Sequence, residues 1–177
     1  MTPQLLPEEF ARLLQLRAAR VAVGSSAARG QGAPGLVDAG RTFVSTLNLE
    51  PFGTDNEADF QRSLDDATAG MMRALPRKGS TWGISRKLVN IFLRECLYTW
   101  HLRERFALHR GEPFFEMPLD SLTGKGLRKR DPSLPKWHTV KGLDPATSRI
   151  FQDAATRVAA AEGYNRVHLD LLLWAVR

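Results

Sequence analysis

Apolar positions recur at helical spacing along most of the chain. Pro7-Glu8-Glu9 leads into Phe10, Leu13, Leu14 and Leu16, which predicts a helix to about Val23 with a proline and two acids in its first turn. The stretch GSSAARGQGAPG (24–35) cannot sustain a helix and reads as a loop. A second helix is expected over 36–49, stopping before Pro51, and Asp55-Asn56-Glu57 caps a third that runs to about Leu75, ahead of Pro76.

The longest helical pattern covers 84–107. Its apolar residues (Ile84, Leu88, Val89, Ile91, Phe92, Leu93, Leu97, Trp100) wrap most of the circumference, as in a central buried helix. Pro113 and Pro118 bracket an extended connector, FFEM, and GKGLRKRDPSLPKW after it reads as loop or short helix. Asp144-Pro145 opens a helix over 146–162 that Gly163 ends, and the apolar segment 167–176 is read as a last short helix. No internal repeat and no alternating pattern long enough for a sheet is present, so the expected class is all-α, with residues 1–177 as one compact helical domain.

Charge changes this picture more than bulk composition does. The chain has 177 residues, 43 % hydrophobic and 25 % charged, an ordinary globular balance. Its 25 basic and 19 acidic side chains are unevenly distributed: residues 77–149 carry 15 basic against 7 acidic, a local +8. Such a concentration suits a polyanion-binding face, although a plain solvated surface has the same composition. The densest cluster is Lys125, Arg128, Lys129, Arg130, Lys136 and Lys141, interleaved with glycines that would let backbone approach phosphates. A lone cysteine, Cys96, excludes an internal disulfide and a cysteine-based zinc site; with apolar neighbours it reads as a buried, inert thiol. The four histidines show no metal-ligand spacing, and no phosphate-binding glycine fingerprint or serine-hydrolase elbow occurs, so neither a metal nor a cofactor is expected. No apolar run approaches a membrane span and the N-terminus is unlike a signal peptide, so a cytoplasmic chain is expected, without a membrane partner.

Two stretches carry candidate chemistry. In Lys78-Gly-Ser-Thr-Trp-Gly-Ile-Ser-Arg-Lys87 a polar, glycine-bearing turn runs into the apolar helix. Burial and the positive end of a helix both favour the free amine there, and Arg86 adds to the effect, which is what a Schiff-base nucleophile requires. Thirty-three residues later, Glu116-Met-Pro-Leu-Asp120-Ser121 places an acid where the next helix should begin. That carboxylate could stabilise developing positive charge on a sugar or relay protons, or serve only as an N-cap.

A helix-borne lysine followed by Pro-x-Asp resembles the helix-hairpin-helix DNA glycosylases. The Lys87 to Asp120 spacing is similar to that of the archaeal 8-oxoguanine glycosylases and of small bacterial 8-oxoguanine-glycosylase-like proteins. SSAARGQGAPG, WGISRKLVNIFLRE and KWHTVKGL…RVHLDLLLW extend the likeness over nearly the whole chain, while GSTWGISRK stands where common members carry L-P-G-V-G. The resemblance implies a helix-hairpin-helix-like turn, a cleft between two helical lobes, and excision of a damaged or modified base from duplex DNA by a monomer. It also makes Lys87 the nucleophile and Asp120 its partner. Asp170, in VHLDLLLW, is a rival acid, taken as structural or secondary because no lysine lies the customary distance before it.

A base pocket needs aromatic walls and polar readers, for which Trp82, Phe114, Trp137, Ser25 and Gln31 are the candidates. Arg29, Arg86, Lys125, Arg128, Lys129, Arg130 and Lys141 are the expected DNA contacts. The substrate could be an oxidised purine or a hypermodified cytosine in phage DNA, the latter as antiviral defence. The alternatives are a non-catalytic DNA-binding module on the same basic face and a helical interaction protein whose charge serves solubility.

Overall fold

Helix α1 (Glu8–Ala22) begins with the two acids the sequence places in its first turn, where they face the positive end of the helix dipole. The structure, a computed structural model, describes residues 8–28 and 33–175, the Trp174 side chain excepted. Among the described residues every regular element is helical: α2 (Leu36–Ser45), α3 (Glu57–Ala74), α4 (Trp82–Tyr98), α5 (Trp100–Arg105), α6 (Leu108–Gly111), α7 (Ser121–Arg130), α8 (Pro145–Ala161) and α9 (Leu169–Ala175), with four short 3₁₀ turns between them. The class is all-α. None of these helices is long and apolar enough to cross a membrane.

Capping chemistry explains where the helices start. Asn56 accepts from the Asp59 N–H at the head of α3, Thr81 from Ile84 N–H at the head of α4, and Asp144 from Thr147 N–H ahead of Pro145 in α8. Two expected spans are corrected. Helix α2 ends at Ser45 rather than Leu49, because the Ser45 and Thr46 hydroxyls bond back to the Thr42 and Phe43 carbonyls and satisfy the helix end early. Gln15 of α1 then donates to the Val44 and Leu47 carbonyls, tying α1 to that end.

The long 84–107 pattern is also broken. Thr99 is extended (φ −84, ψ 100) between α4 and α5, its hydroxyl bonded to the Glu95 carbonyl, and Ala107 is left-handed (φ 50) ahead of α6. The break leaves Trp100 54 % exposed rather than in the core, while Leu102 and Leu108 turn inward and are fully buried.

Helix α4 is the centre of the fold. Ile84, Leu88, Val89, Phe92, Leu93, Cys96 and Leu97 are buried on several of its sides, with α1, α2 and α3 packed against it. Cys96 is fully buried, as its neighbours indicated, and burial pushes its thiol well above the usual value. Helices α5 and α6 continue from the end of α4, and α8 and α9 both pack on α7. The loop between α7 and α8 meets α4 at its first turn, where a Cβ on Gly83 would lie 2.1 Å from the Val140 carbonyl oxygen, so only glycine fits, and α9 meets α4 further along through Asp170 and Arg94. Between these groups runs Phe115–Asp120, an extended segment with no regular secondary structure, and it carries the candidate acid across to α4.

Candidate active site

Lys87 is the sixth residue of α4, past the capped first turn, and its side chain is only 12 % exposed. Its Nζ lies 3.4 Å from Asp120 Oδ2 and donates to the Ala27 carbonyl at 3.3 Å. Three stretches remote in sequence therefore converge on one amine: the head of α4, the head of α7 and the polar loop after α1.

Asp120 performs two tasks with two oxygens. Oδ1 accepts from the Leu122 N–H (2.8 Å) and Thr123 N–H (3.1 Å), capping α7, and the Thr123 hydroxyl accepts in return from the Asp120 N–H at 2.8 Å in a capping box. Oδ2 faces Lys87. The N-cap and the lysine partner are thus the same residue, and the cap fixes the orientation in which the second oxygen meets the amine.

Seven residues along α4 from Lys87, a rise of about 10.5 Å and close to two turns, Arg94 forms an ion pair with Asp170 of α9. Both are mostly buried, at 12 % and 15 % exposed, and both hold an unmet atom: Arg94 Nε and Asp170 Oδ1 are buried without a hydrogen-bond partner. Burial pushes the Asp170 carboxyl above its ordinary value despite Arg94, and the charge of Asp120 pushes it further the same way. The two rival aspartates are therefore electrostatic neighbours, set over a lysine and an arginine on one stripe of α4. Tyr98 continues that stripe. Its ring lies 6.0 Å from the Arg94 guanidinium and stacks on His168, which in turn bonds Glu112 at 3.0 Å; burial raises the tyrosine hydroxyl to about 12. Sequence reasoning passed over Arg94. The available signal was its i, i+7 relation to Lys87, a second cation recurring on an otherwise apolar helix.

Other sequence candidates stand elsewhere. Arg86, expected on DNA, is 5 % exposed and turned inward: Nε and Nη2 grip Glu116 at 2.8 Å each, and Nη1 bonds Asp65 at 2.7 Å and Thr68 at 3.1 Å. Its donors are committed internally and none is left for a phosphate. Burial alone would raise the Glu116 carboxyl, but Arg86 and the Asn90 amide outweigh it and hold it below its ordinary value. Trp137, expected in a base pocket, is a core residue at 6 % exposure, edge-on to Phe151, and its ring fills the space a Cβ on Gly124 would need. Phe114 is half-buried with its ring against Phe60.

Trp82, the first residue of α4, is half-buried beneath the Arg86 guanidinium at 5.4 Å. It lines a polar cleft of about 290 Å³ with Arg86, Glu116, Ser148, Gln152 and Arg166, a cleft to which neither Lys87 nor Asp120 contributes. Ser25 lies in an exposed turn of the same loop as Ala27; Gln31 and Arg29 fall outside the described residues. Lys125, Lys129 and Arg130 are exposed on α7, and Lys136 and Lys141 are exposed in the loop after it. Arg130 lies 3.7 Å from Glu162, and Arg128 is half-buried with Nε donating to the Leu134 carbonyl at 3.2 Å. The basic face thus begins on the helix that Asp120 caps.

Comparison of the chain with protein-family models, with curated proteins and with solved structures finds no match.

Proposed function

We propose that this chain is a base-excision DNA glycosylase of the helix-hairpin-helix type, with Lys87 as nucleophile and Asp120 as its carboxylate partner. The observation that carries the reading is the meeting of Lys87 Nζ and Asp120 Oδ2 at 3.4 Å, the lysine mostly buried and the aspartate partly exposed, two turns along α4 from an ion pair with unmet polar atoms. In this reading Asp120 takes a proton from the Lys87 ammonium, and the free amine attacks C1′ of the flipped nucleotide. The glycosidic electron pair leaves with the base, which takes that proton from Asp120 as it departs and so restores the carboxylate. The carboxylate stabilises the positive charge that develops on the sugar during that step. The bound nitrogen then loses a proton and expels O4′, which is protonated as the C1′–O4′ bond breaks, and the ring-opened sugar is held as a Schiff base through which backbone cleavage can follow.

The base excised is an oxidised purine or a modified base in foreign DNA. The exposed lysines of α7 and of 136–141 supply phosphate contacts that position the duplex without reading its sequence. The protein acts as a monomer and without a cofactor in this reading.

The test incubates the protein with duplexes carrying different modified bases, with borohydride present. Abasic sites and a covalent protein–DNA adduct are expected from wild type, and no adduct from Lys87→Gln. Abasic sites without an adduct would assign water as the nucleophile, with Asp120 activating it. Retention on DNA with no abasic site on any duplex would replace the reading with a non-catalytic DNA-binding module, and no retention with an interaction protein.

A further inference from the structure

The segment that delivers Asp120 is extended, yet no strand pairs with it among the described residues, and side chains satisfy its backbone instead. Arg166 donates from Nη2 to the Phe114 carbonyl (2.8 Å) and from Nε to the Phe115 carbonyl (3.0 Å). Gln152 of α8 holds Met117 as a neighbouring strand would, accepting from its N–H at 3.0 Å and donating to its carbonyl at 2.8 Å. The Thr123 hydroxyl donates to the Pro118 carbonyl at 3.1 Å and accepts from the Asp120 N–H at 2.8 Å. Between these holds the Glu116 side chain is clamped by Arg86 and Asn90, both on α4.

Each hold fixes a different degree of freedom. Glu116 is pinned to α4, the helix that bears Lys87, and its partners are the residue before Lys87 and the one three after it. The register of the segment along that helix is set there. Gln152 belongs to α8, which contributes nothing to the Lys87–Asp120 contact, and it fixes the peptide planes on both sides of Met117. Gln152 is 3 % exposed, Glu116 8 %, Met117 0 % and Leu119 2 %, so no water competes freely for these groups. A loosely tethered extended chain samples many backbone states, whereas a displacement of about 1 Å in a reacting group can cost about 100-fold in rate.

We infer that Gln152 and Glu116 are positioning residues: together they hold the 114–120 segment in the one register that keeps the Asp120 carboxylate within reach of the Lys87 amine. The inference rests on the glycosylase reading for its kinetic consequence, though not for its geometry.

The experiment measures borohydride trapping of the full chain on a duplex with one abasic site, a probe that exposes an aldehyde to Lys87 whatever base the protein prefers. Gln152→Met should lower the maximal trapping rate about 10-fold and leave half-saturation by the duplex unchanged, since Gln152 lies in no proposed DNA contact. On an Asp120→Asn background the same change should cost nothing further, because its effect passes through Asp120. Asn90→Ala withdraws a single hydrogen bond from Glu116 and leaves Arg86 in place; it should lower the rate by about 3-fold and serves if Gln152→Met or Glu116→Gln folds poorly. An unchanged rate, a loss expressed as weaker binding, or a loss that multiplies that of Asp120→Asn would overturn the inference. Should wild type form no adduct at all, the assignment of Lys87 as nucleophile fails on its own. The crystal structure of Gln152→Met then decides the positioning role: separation of Lys87 and Asp120 beyond about 4 Å upholds it, and an intact pair overturns it.

Discussion

Replacing Asp120 by asparagine and by alanine separates the two tasks its carboxylate performs. Asparagine retains an oxygen for the Leu122 and Thr123 N–H groups, and aspartate and asparagine cap helices about equally well. What Asp120→Asn removes is charge. The Lys87 contact is partly solvated, with the aspartate 35 % exposed, which makes the ion pair worth about 0.5–1 kcal/mol. For a chain of this size that corresponds to a fall in Tm of about 1–4 °C. Asp120→Ala loses the cap as well, about 1 kcal/mol more, and leaves the Leu122 and Thr123 N–H groups without their acceptor. Its loss should total about 1.5–2 kcal/mol, or about 3–8 °C. Catalytically the two variants should be alike, each reduced by about 100- to 1000-fold or more, because neither provides a carboxylate for Lys87 or for the developing sugar cation. Thermal unfolding with single-turnover base excision gives both numbers on the same samples. An Asp120→Asn protein that keeps wild-type excision while Asp120→Ala loses it would refute the reasoning: the residue would then be a cap whose geometry matters and whose charge does not.

Glu116→Gln should be less stable at neutral pH by about 3 kcal/mol, since it weakens a buried pair and leaves Arg86 facing Asp65 alone. The folded value of the Glu116 carboxyl lies below its ordinary 4.5, so its contribution is fully present above about pH 4.5 and lost as pH falls through the lower folded value. Urea unfolding across that range should show the variant with a flatter acid limb, and identical acid limbs would count against the pairing. Gly124→Ala should destabilise by about 1–3 kcal/mol, because its Cβ would fall 2.3 Å from the Trp137 ring; an unchanged urea midpoint would mean that Trp137 moves freely. Neutralising Lys125, Lys129 and Lys141 together should flatten the slope of log affinity against log salt for duplex DNA, by up to about 0.9 for each phosphate that no longer meets a cation. A slope equal to wild type would move the DNA face elsewhere.

Local chemistry was legible in the chain itself. Caps at Asn56, Asp120 and Asp144, prolines at helix heads and the apolar wrap of 84–97 each act within a turn or two, so the helices and the all-α class follow from neighbours in sequence. The +8 stretch was equally plain, being a count. Lys87 and Asp120 could be nominated from a motif likeness, but nothing local states that they touch across 33 residues.

That contact, and the sorting of similar side chains into different environments, was decided by tertiary packing. Arg86 and Lys87 are consecutive cations, yet one helical step of about 100° sends the first into Glu116 and the second toward Asp120. Trp82 and Trp137 both sit in glycine- or proline-bearing connectors of the sequence. One borders a polar cleft, and the other fills the core because α8 brings Phe151 edge-on beneath its ring. Asp170 looked peripheral until α9, packing against α7, set it against Arg94 and within the field of Asp120. Helix formation is settled by hydrogen bonds that close within four residues. Which face of each helix meets which partner depends on how all the helices pack at once, and no short window of sequence contains that information.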